Sequence, residues 1–359
     1  MAYDAIAQAG TLSHPPKIKR RPNVGFVIQG GGHYAGPYAA GFLSKLAMYP
    51  DILGKEFNVR AVSATSSGAL NAAAFFSTPD PIEGARRLKK IWEDLYGMSL
   101  HAGMAQTFCS DLEKLAYTAN PYARAVAKYF NAEGADTPVT DALIKNSQSL
   151  LAPFIPQTIL HLVEKHAPDL SSQRHITLHI NACQETNYAL LEMSFSRDIQ
   201  PGHIAAACAI GGMPVNNRTY WDGAYLANTQ TERLQADEEI TDIVVIAAFP
   251  PSGDVVAIKP PDNRRVSSRL EKLIVTKEIH PTIAWYNQVY AGRVRFHVIT
   301  PPEQPPENPL QNITALDYPR LWGMGVRDAE NWIKNDLQNI GSRSTLPASY
   351  VRAPHLHAA

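Results

Sequence analysis

Apolar residues fall into short unbroken runs separated by small and glycine-rich turns, the pattern of strands buried on both faces. The run VGFVI from Val24 reads as the first strand, and a glycine-rich turn from Gly30 to Gly36 follows it. Pro37 suits an early helical position ahead of YAAGFLSKLAMY, which Pro50 closes. A second apolar run at 59–64 meets a turn and then the small-residue helix SGALNAAAFF. Strand, turn and helix twice in that order predict an α/β fold, with a mainly parallel central sheet flanked by helices.

From Pro81 to about His166 the period lengthens to that of helices, in ARRLKKIWEDLY, DLEKLAY and PFIPQTILHLVEKHA. This stretch, 81–166, reads as a helical insertion suited to a lid or substrate wall. Strand patterns resume in HITLHINAC and YALLEMSF, then at 219–221, 241–248 and 294–300. The small apolar stretch GHIAAACAI suits a helix packed tightly in the centre. SSRLEKLIVTKEI and PTIAWYNQVYAG read as further helices. These features delimit a mobile arm at 1–22, one domain at 23–300 and a C-terminal extension at 301–359. The extension begins with the proline-rich PPEQPPENP, continues in a helix near 325–337 that packs back on the domain, and ends in a loose tail at 342–359.

Composition narrows the function. Hydrophobic residues make up 45% of the 359, a globular proportion. Lys plus Arg and Asp plus Glu are both 33, a balance that argues against nucleic acid as a partner. Cys109, Cys183 and Cys208 are odd in number and lack metal-ligand spacing, which favours a reducing compartment over a disulfide framework. The N-terminal segment carries no signal-peptide pattern, and no run of about 18 apolar residues appears. The expectation is a cytoplasmic protein whose contact with any membrane is peripheral.

Three short motifs carry candidate chemistry. QGGGHYAG, from Gln29 to Gly36, joins a strand to a helix. Glycines there let backbone N–H groups approach an anion beside a helix N-terminus, which serves either a phosphate cradle or an oxyanion hole. A dinucleotide site would want an acidic residue at the end of the second strand, but that strand runs into Ala64-Thr65-Ser66-Ser67-Gly68. This pentapeptide is either a capped helix start or a nucleophile elbow, with Ser66 central and Ala64 in the place of the usual first glycine. The third motif is the turn Trp221-Asp222-Gly223-Ala224, an Asp-Gly pair of a common kind.

In this order the three motifs resemble the patatin-like phospholipases, over roughly residues 23–300. GPYAAGFLSKL, ACAIGGMPV and YWDGAYLANT add to the likeness. The resemblance implies a serine–aspartate dyad acting on lipid or lipid-like acyl esters through an acyl-enzyme, with no cofactor. It assigns Ser66 as nucleophile, Asp222 as base and Gly31, Gly32 and His33 as the oxyanion-hole segment, with Ala64, Gly68 and Gly223 supporting the elbow and turn. The sequence departs from the family in the glycine turn. Three residues, His33, Tyr34 and Ala35, separate the triple glycine from Gly36 where two are usual, and the usual basic residue is missing.

Two rivals stand beside this reading. A Ser-Asp-His triad would draw its histidine from His280 or His297, although a helix-start role suits the first and a satisfied strand position the second. A patatin-like scaffold that has lost its oxyanion geometry is the other. His175 and His179 share a strand face without a third ligand, so no metal is expected.

Overall fold

The computed structural model describes residues 21–49, 51–97, 154–170, 176–186, 190–209, 212–226, 228–249, 293–301 and 317–347. Among the described residues eight strands form one sheet: β1 (Asn23–Ile28), β2 (Asn58–Thr65), β3 (Thr177–Glu185), β4 (Leu190–Phe195), β5 (Met213–Val215), β6 (Arg218–Asp222), β7 (Asp242–Ile246) and β8 (Arg295–Ile299). Their order is β5-β6-β3-β2-β1-β7-β8, with β4 on β3. The pairings from β3 through β2, β1 and β7 to β8 are parallel. Those among β3, β4, β5 and β6 are antiparallel.

The apolar runs become strands because both faces are covered. Val24, Phe26 and Ile28 belong to the larger core cluster, and Val27 points the other way into a smaller one with Ile243, Val245 and Phe296. Helices α1 (Gly32–Ala47), α2 (Ser67–Phe76), α3 (81–97), α4 (Phe154–His166), α5 (Pro201–Ala207), α6 (Glu232–Ala236) and α7 (Asp317–Asn335) flank the sheet. The alanines of α5 are fully buried, as the tight central helix expected from GHIAAACAI requires. No described helix is long and apolar enough to cross a membrane.

Several expectations are corrected. The turn read from Gly30 to Gly36 is shorter, because α1 already begins at Gly32 and Pro37 lies inside it. Glycine pattern marks where backbone freedom is available, not where the ladder of hydrogen bonds begins. The C-terminal helix starts at Asp317, well before the expected 325, since Pro319 is tolerated in a first turn. Its buried side chains, Leu321, Met324, Ala329 and Trp332, make one stripe that packs on α1, where the Phe42 and Trp332 rings lie 5.9 Å apart.

The expected loose tail is docked as far as it is described. Thr345 N–H donates to the Phe296 carbonyl at 2.9 Å, and its carbonyl accepts from Val298 N–H at 3.0 Å, so the segment covers the open edge of β8. Likewise the last described residues of the arm are held, with the Pro22 carbonyl accepting from Asn58 N–H at 2.9 Å. Most of the helical insertion, 98–153, and the two helices expected in 267–292 lie outside the described residues.

Candidate active site

Strand β3 brings the two candidate catalytic side chains together. Its neighbour β4 takes one edge over Ile180–Glu185, so β2 and β6 must share the other. On that edge Asn181 pairs with Thr65, the last residue of β2, and the next residue, Ala182, pairs with Asp222, the last of β6. Ser66 and Asp222 therefore leave their strands at adjoining points, and the Ser66 hydroxyl lies near enough to the Asp222 carboxylate to favour its charged form.

Ser66 sits at φ 53° and ψ −128°, a conformation that non-glycine residues rarely adopt. Strain of this kind costs on the order of 1–3 kcal/mol and persists only where the surroundings impose it. Here the strand behind and the helix ahead do so. The Ser66 carbonyl accepts from Ala69 N–H at 2.8 Å, which starts α2, and from the Cys208 thiol at 3.1 Å. Asn181 braces the strand below through Ser63 Oγ (3.1 Å) and Thr65 Oγ1 (3.2 Å). Ser66 keeps 9% of its surface exposed, so the hydroxyl stands at the floor of the site and is not sealed in.

Asp222 is buried, and burial pushes its carboxyl from the ordinary 3.8 up to about 6. Hydrogen bonds from Ser66 and from Ala224 N–H, the latter at 2.9 Å, pull in the other direction without cancelling it. The carboxylate is thus a stronger base than an exposed aspartate and remains ionised at neutral pH.

The glycine turn closes over the serine. Gly31 caps α1 at φ 144°, which only glycine adopts freely, and its carbonyl accepts from both Tyr34 and Ala35 N–H at 3.2 Å. The N–H groups of Gly32 and His33 come before that ladder and have no acceptor within the helix, so they are available to an anion. Gly30 is clamped by Asn228, whose Oδ1 accepts from Gly30 N–H at 2.9 Å. Gln29 Oε1 accepts from Phe249 N–H at 3.1 Å and holds the other side of the turn. Ala64 is the buried β2 residue two before Ser66, while Gly68 and Gly223 lie where a side chain would strike the backbone of Ile28 and Asn181 respectively. His33 is exposed, yet the density of protein around it lowers its imidazole pKa.

His297, one of the two triad candidates, is turned away from the serine. Its Nε2 meets Asp242 Oδ1 at 3.0 Å and its Nδ1 meets Thr345 Oγ1 at 2.9 Å. Asp242 begins β7 beside Val24, at the opposite ends of the parallel strands from Ser66. His280 and His175 lie outside the described residues. Among the described residues, no group of three or more His, Cys, Asp or Glu could hold a metal ion. Cys183 and Cys208 are buried and not joined in disulfides, and their thiols donate to the Gly223 and Ser66 carbonyls at 3.7 and 3.1 Å. A shallow cleft of about 290 Å³ lined by Glu185, Leu190, Trp221 and Tyr225 lies on the sheet face opposite Asp222, because Trp221 precedes it by one strand position.

Four bracing residues were not picked out as site residues from sequence: Asn71, Trp92, Asn181 and Cys208. Asn71 offered a signal, as a lone amide between Leu70 and Ala72 in a helix otherwise small and apolar.

A strained serine just past the end of β2 and a desolvated carboxylate ending β6, side by side along one edge of β3 on an α/β sheet, are the arrangement of a nucleophile elbow beside a base. The chain belongs to the patatin-like phospholipase family, whose sequence profile matches residues 26–234, more than half of its length and all three motifs. Among solved structures it is similar to VipD from Legionella pneumophila, at 12% identity and a TM-score of 0.39, over 89% of this chain and 67% of that one. It is also similar to the ExoU–SpcU complex of the type III secretion system of Pseudomonas aeruginosa, at 15% identity and a TM-score of 0.33. There the chain spans about half, 52%, of the matched chain's length, with 89% of its own. No curated protein matches it.

Proposed function

We propose that the chain is a phospholipase A-type carboxylic ester hydrolase, with Ser66 as nucleophile and Asp222 as its base. The observation that carries this reading is a strained Ser66 placed beside a buried carboxylate, at adjoining points on one edge of β3, whose pKa burial raises to about 6. Serine is a weak nucleophile unless a base takes its proton as it attacks. Asp222 accepts that proton while Ser66 Oγ bonds to the carbonyl carbon of a lipid ester. The carbonyl electrons move onto oxygen, and the N–H groups of Gly31, Gly32 and His33 hold the resulting oxyanion. Each such donor contributes about 3 kcal/mol to the transition state, so the turn matters as much as the base.

Collapse of the intermediate breaks the bond to the alcohol, which leaves with the proton from Asp222 and yields an acyl-serine. Water then attacks the acyl carbon, Asp222 takes its proton, and the fatty acid departs as Ser66 is reprotonated. No histidine takes part, and the His297 contacts to Asp242 and Thr345 support leaving it out. Peptide mapping after treatment with a fluorophosphonate tests the assignment. The adduct belongs on Ser66; an adduct on Ser67, or no adduct on protein that hydrolyses esters, refutes it.

A further inference from the structure

Ser66 and the donors of the glycine turn stand on different helices. The pairing of β1 with β2 sets their spacing only as far as the strand ends. Beyond that, α1 has a weak point. Pro37 has no N–H to offer the His33 carbonyl, so one of the rungs that join the donor turn to the helix behind it is missing.

A side chain from α2 meets α1 beside this gap. Asn71, fully buried, donates from Nδ2 to the Gly36 carbonyl at 2.8 Å. Its Oδ1 accepts from Trp92 Nε1 at 2.7 Å. The indole can only donate and the carbonyl can only accept, so the two partners define the orientation of the amide. Gly36 lies within α1, where its carbonyl faces the Ala40 N–H one turn on, so satisfying a buried acceptor does not by itself account for the extra bond. The same indole meets the His33 ring edge-on, with centroids 6.4 Å apart.

We infer that Asn71, oriented by Trp92, is a positioning residue that sets the distance between Ser66 and the oxyanion donors. Asn71 lies on the helix that Ser66 begins, and Gly36 on the helix that Gly32 begins, so one amide ties nucleophile to donors. This inference rests on the hydrolase reading above. Reacting groups displaced by about 1 Å lose about a hundredfold in rate. That loss falls on the transition state, where the oxyanion exists, and leaves binding of the uncharged ester alone.

Two variants of the full chain test it. Assayed at alkaline pH, where its carboxyl is ionised, Asn71→Asp keeps the volume and the acceptor for Trp92 but replaces the donor to Gly36 with a second acceptor. Trp92→Phe keeps a ring and removes the indole N–H. Titration with a fluorophosphonate counts reactive Ser66, so that turnover of p-nitrophenyl butyrate is expressed per reactive site. A trifluoromethyl ketone with the same acyl chain, which forms a serine hemiketal anion, reports on the oxyanion site directly. In Asn71→Asp, kcat per reactive site should fall about a hundredfold with KM unchanged, and affinity for the ketone should fall in step. Trp92→Phe should show a smaller loss of the same kind. A purely structural role would lower Tm and the reactive fraction while leaving kcat per site and ketone affinity as in wild type, and that result overturns the inference. If Asn71→Asp does not fold, Trp92→Phe carries the same two readouts. A wild type that neither hydrolyses the ester nor takes the probe at Ser66 overturns the hydrolase reading and this inference together. An active wild type with variants like it overturns this inference alone.

Discussion

Replacing Asp222 by asparagine should abolish turnover and, at neutral pH, make the protein more stable. The second effect follows from the first group of observations on this carboxyl. In the folded protein it holds its proton up to about pH 6; unfolded, it returns to the ordinary 3.8. Below 3.8 both states are protonated, and the group does not affect stability. Between 3.8 and about 6 the folded state binds the proton that the unfolded state has lost, so stability falls as pH rises through this window. Above it the full penalty applies. The step from 3.8 to about 6, at about 1.4 kcal/mol per pH unit, amounts to about 3 kcal/mol.

Asparagine carries no charge to desolvate, and its Oδ1 can still accept from Ala224 N–H where Asp222 does at 2.9 Å. The variant should therefore match wild type near about pH 4 and exceed it by up to about 3 kcal/mol near about pH 8. Urea unfolding followed by tryptophan fluorescence at several pH values measures this difference. The same titration appears in the wild-type rate, which should rise as pH passes through about 6 and Asp222 becomes a base. A variant no more stable than wild type at any pH, or a difference flat with pH, would falsify the claim that Asp222 is a desolvated carboxylate.

Two further perturbations probe the turn and the far end of the sheet. In Gly30→Ala the new Cβ would lie 2.6 Å from Ser66 Cβ and 2.9 Å from the Thr65 carbonyl, so serine and turn must separate. Turnover on a p-nitrophenyl ester should drop about a hundredfold with circular dichroism unchanged, and a fully active variant contradicts the close approach. Asp242 is a different kind of buried acid: burial alone would raise its pKa, but hydrogen bonds from His297, Arg295, Gly341 N–H and Thr241 hold it at about 2. Its contribution is present above the ordinary 3.8 and is lost as pH falls towards about 2. Asp242→Ala strands the Arg295 and His297 side chains and should cost about 3–5 kcal/mol in urea unfolding near neutral pH, with turnover per reactive Ser66 retained. A loss of turnover per site would mean that the two ends of the sheet are coupled.

Much of this architecture was legible in the chain. Two apolar runs each followed by a small-residue turn and a helix announced the parallel strands, because strands buried on both faces show as unbroken apolar runs. The junction at Ser66, between the small Ala64 and Gly68, was legible only as a choice between a capped helix start and an elbow; its φ of 53° belongs to the fold. Errors gathered at helix boundaries. The start of α1 inside the glycines, and of α7 at Asp317, depend on which carbonyls find donors, and α7 has its apolar stripe covered by α1.

What the sequence alone determined, then, was local: strand, turn and helix, and which residue types stand at their junctions. Periodicity and turn chemistry act over a few residues, and those signals survive in a linear text. The tertiary structure decided which junctions meet. Asp222 reaches Ser66 only because β2 and β6 share one edge of β3, through pairings of Asn181 with Thr65 and of Ala182 with Asp222. Asn228 clamps Gly30 from 198 positions away, and Gln29 holds Phe249 from 220. Such contacts are made by packing and hydrogen-bond satisfaction between distant segments, and no local pattern encodes the partner. The same physics raised the Asp222 pKa: an aspartate in an ordinary Asp-Gly turn becomes more basic when the sheet closes over it and takes away its water.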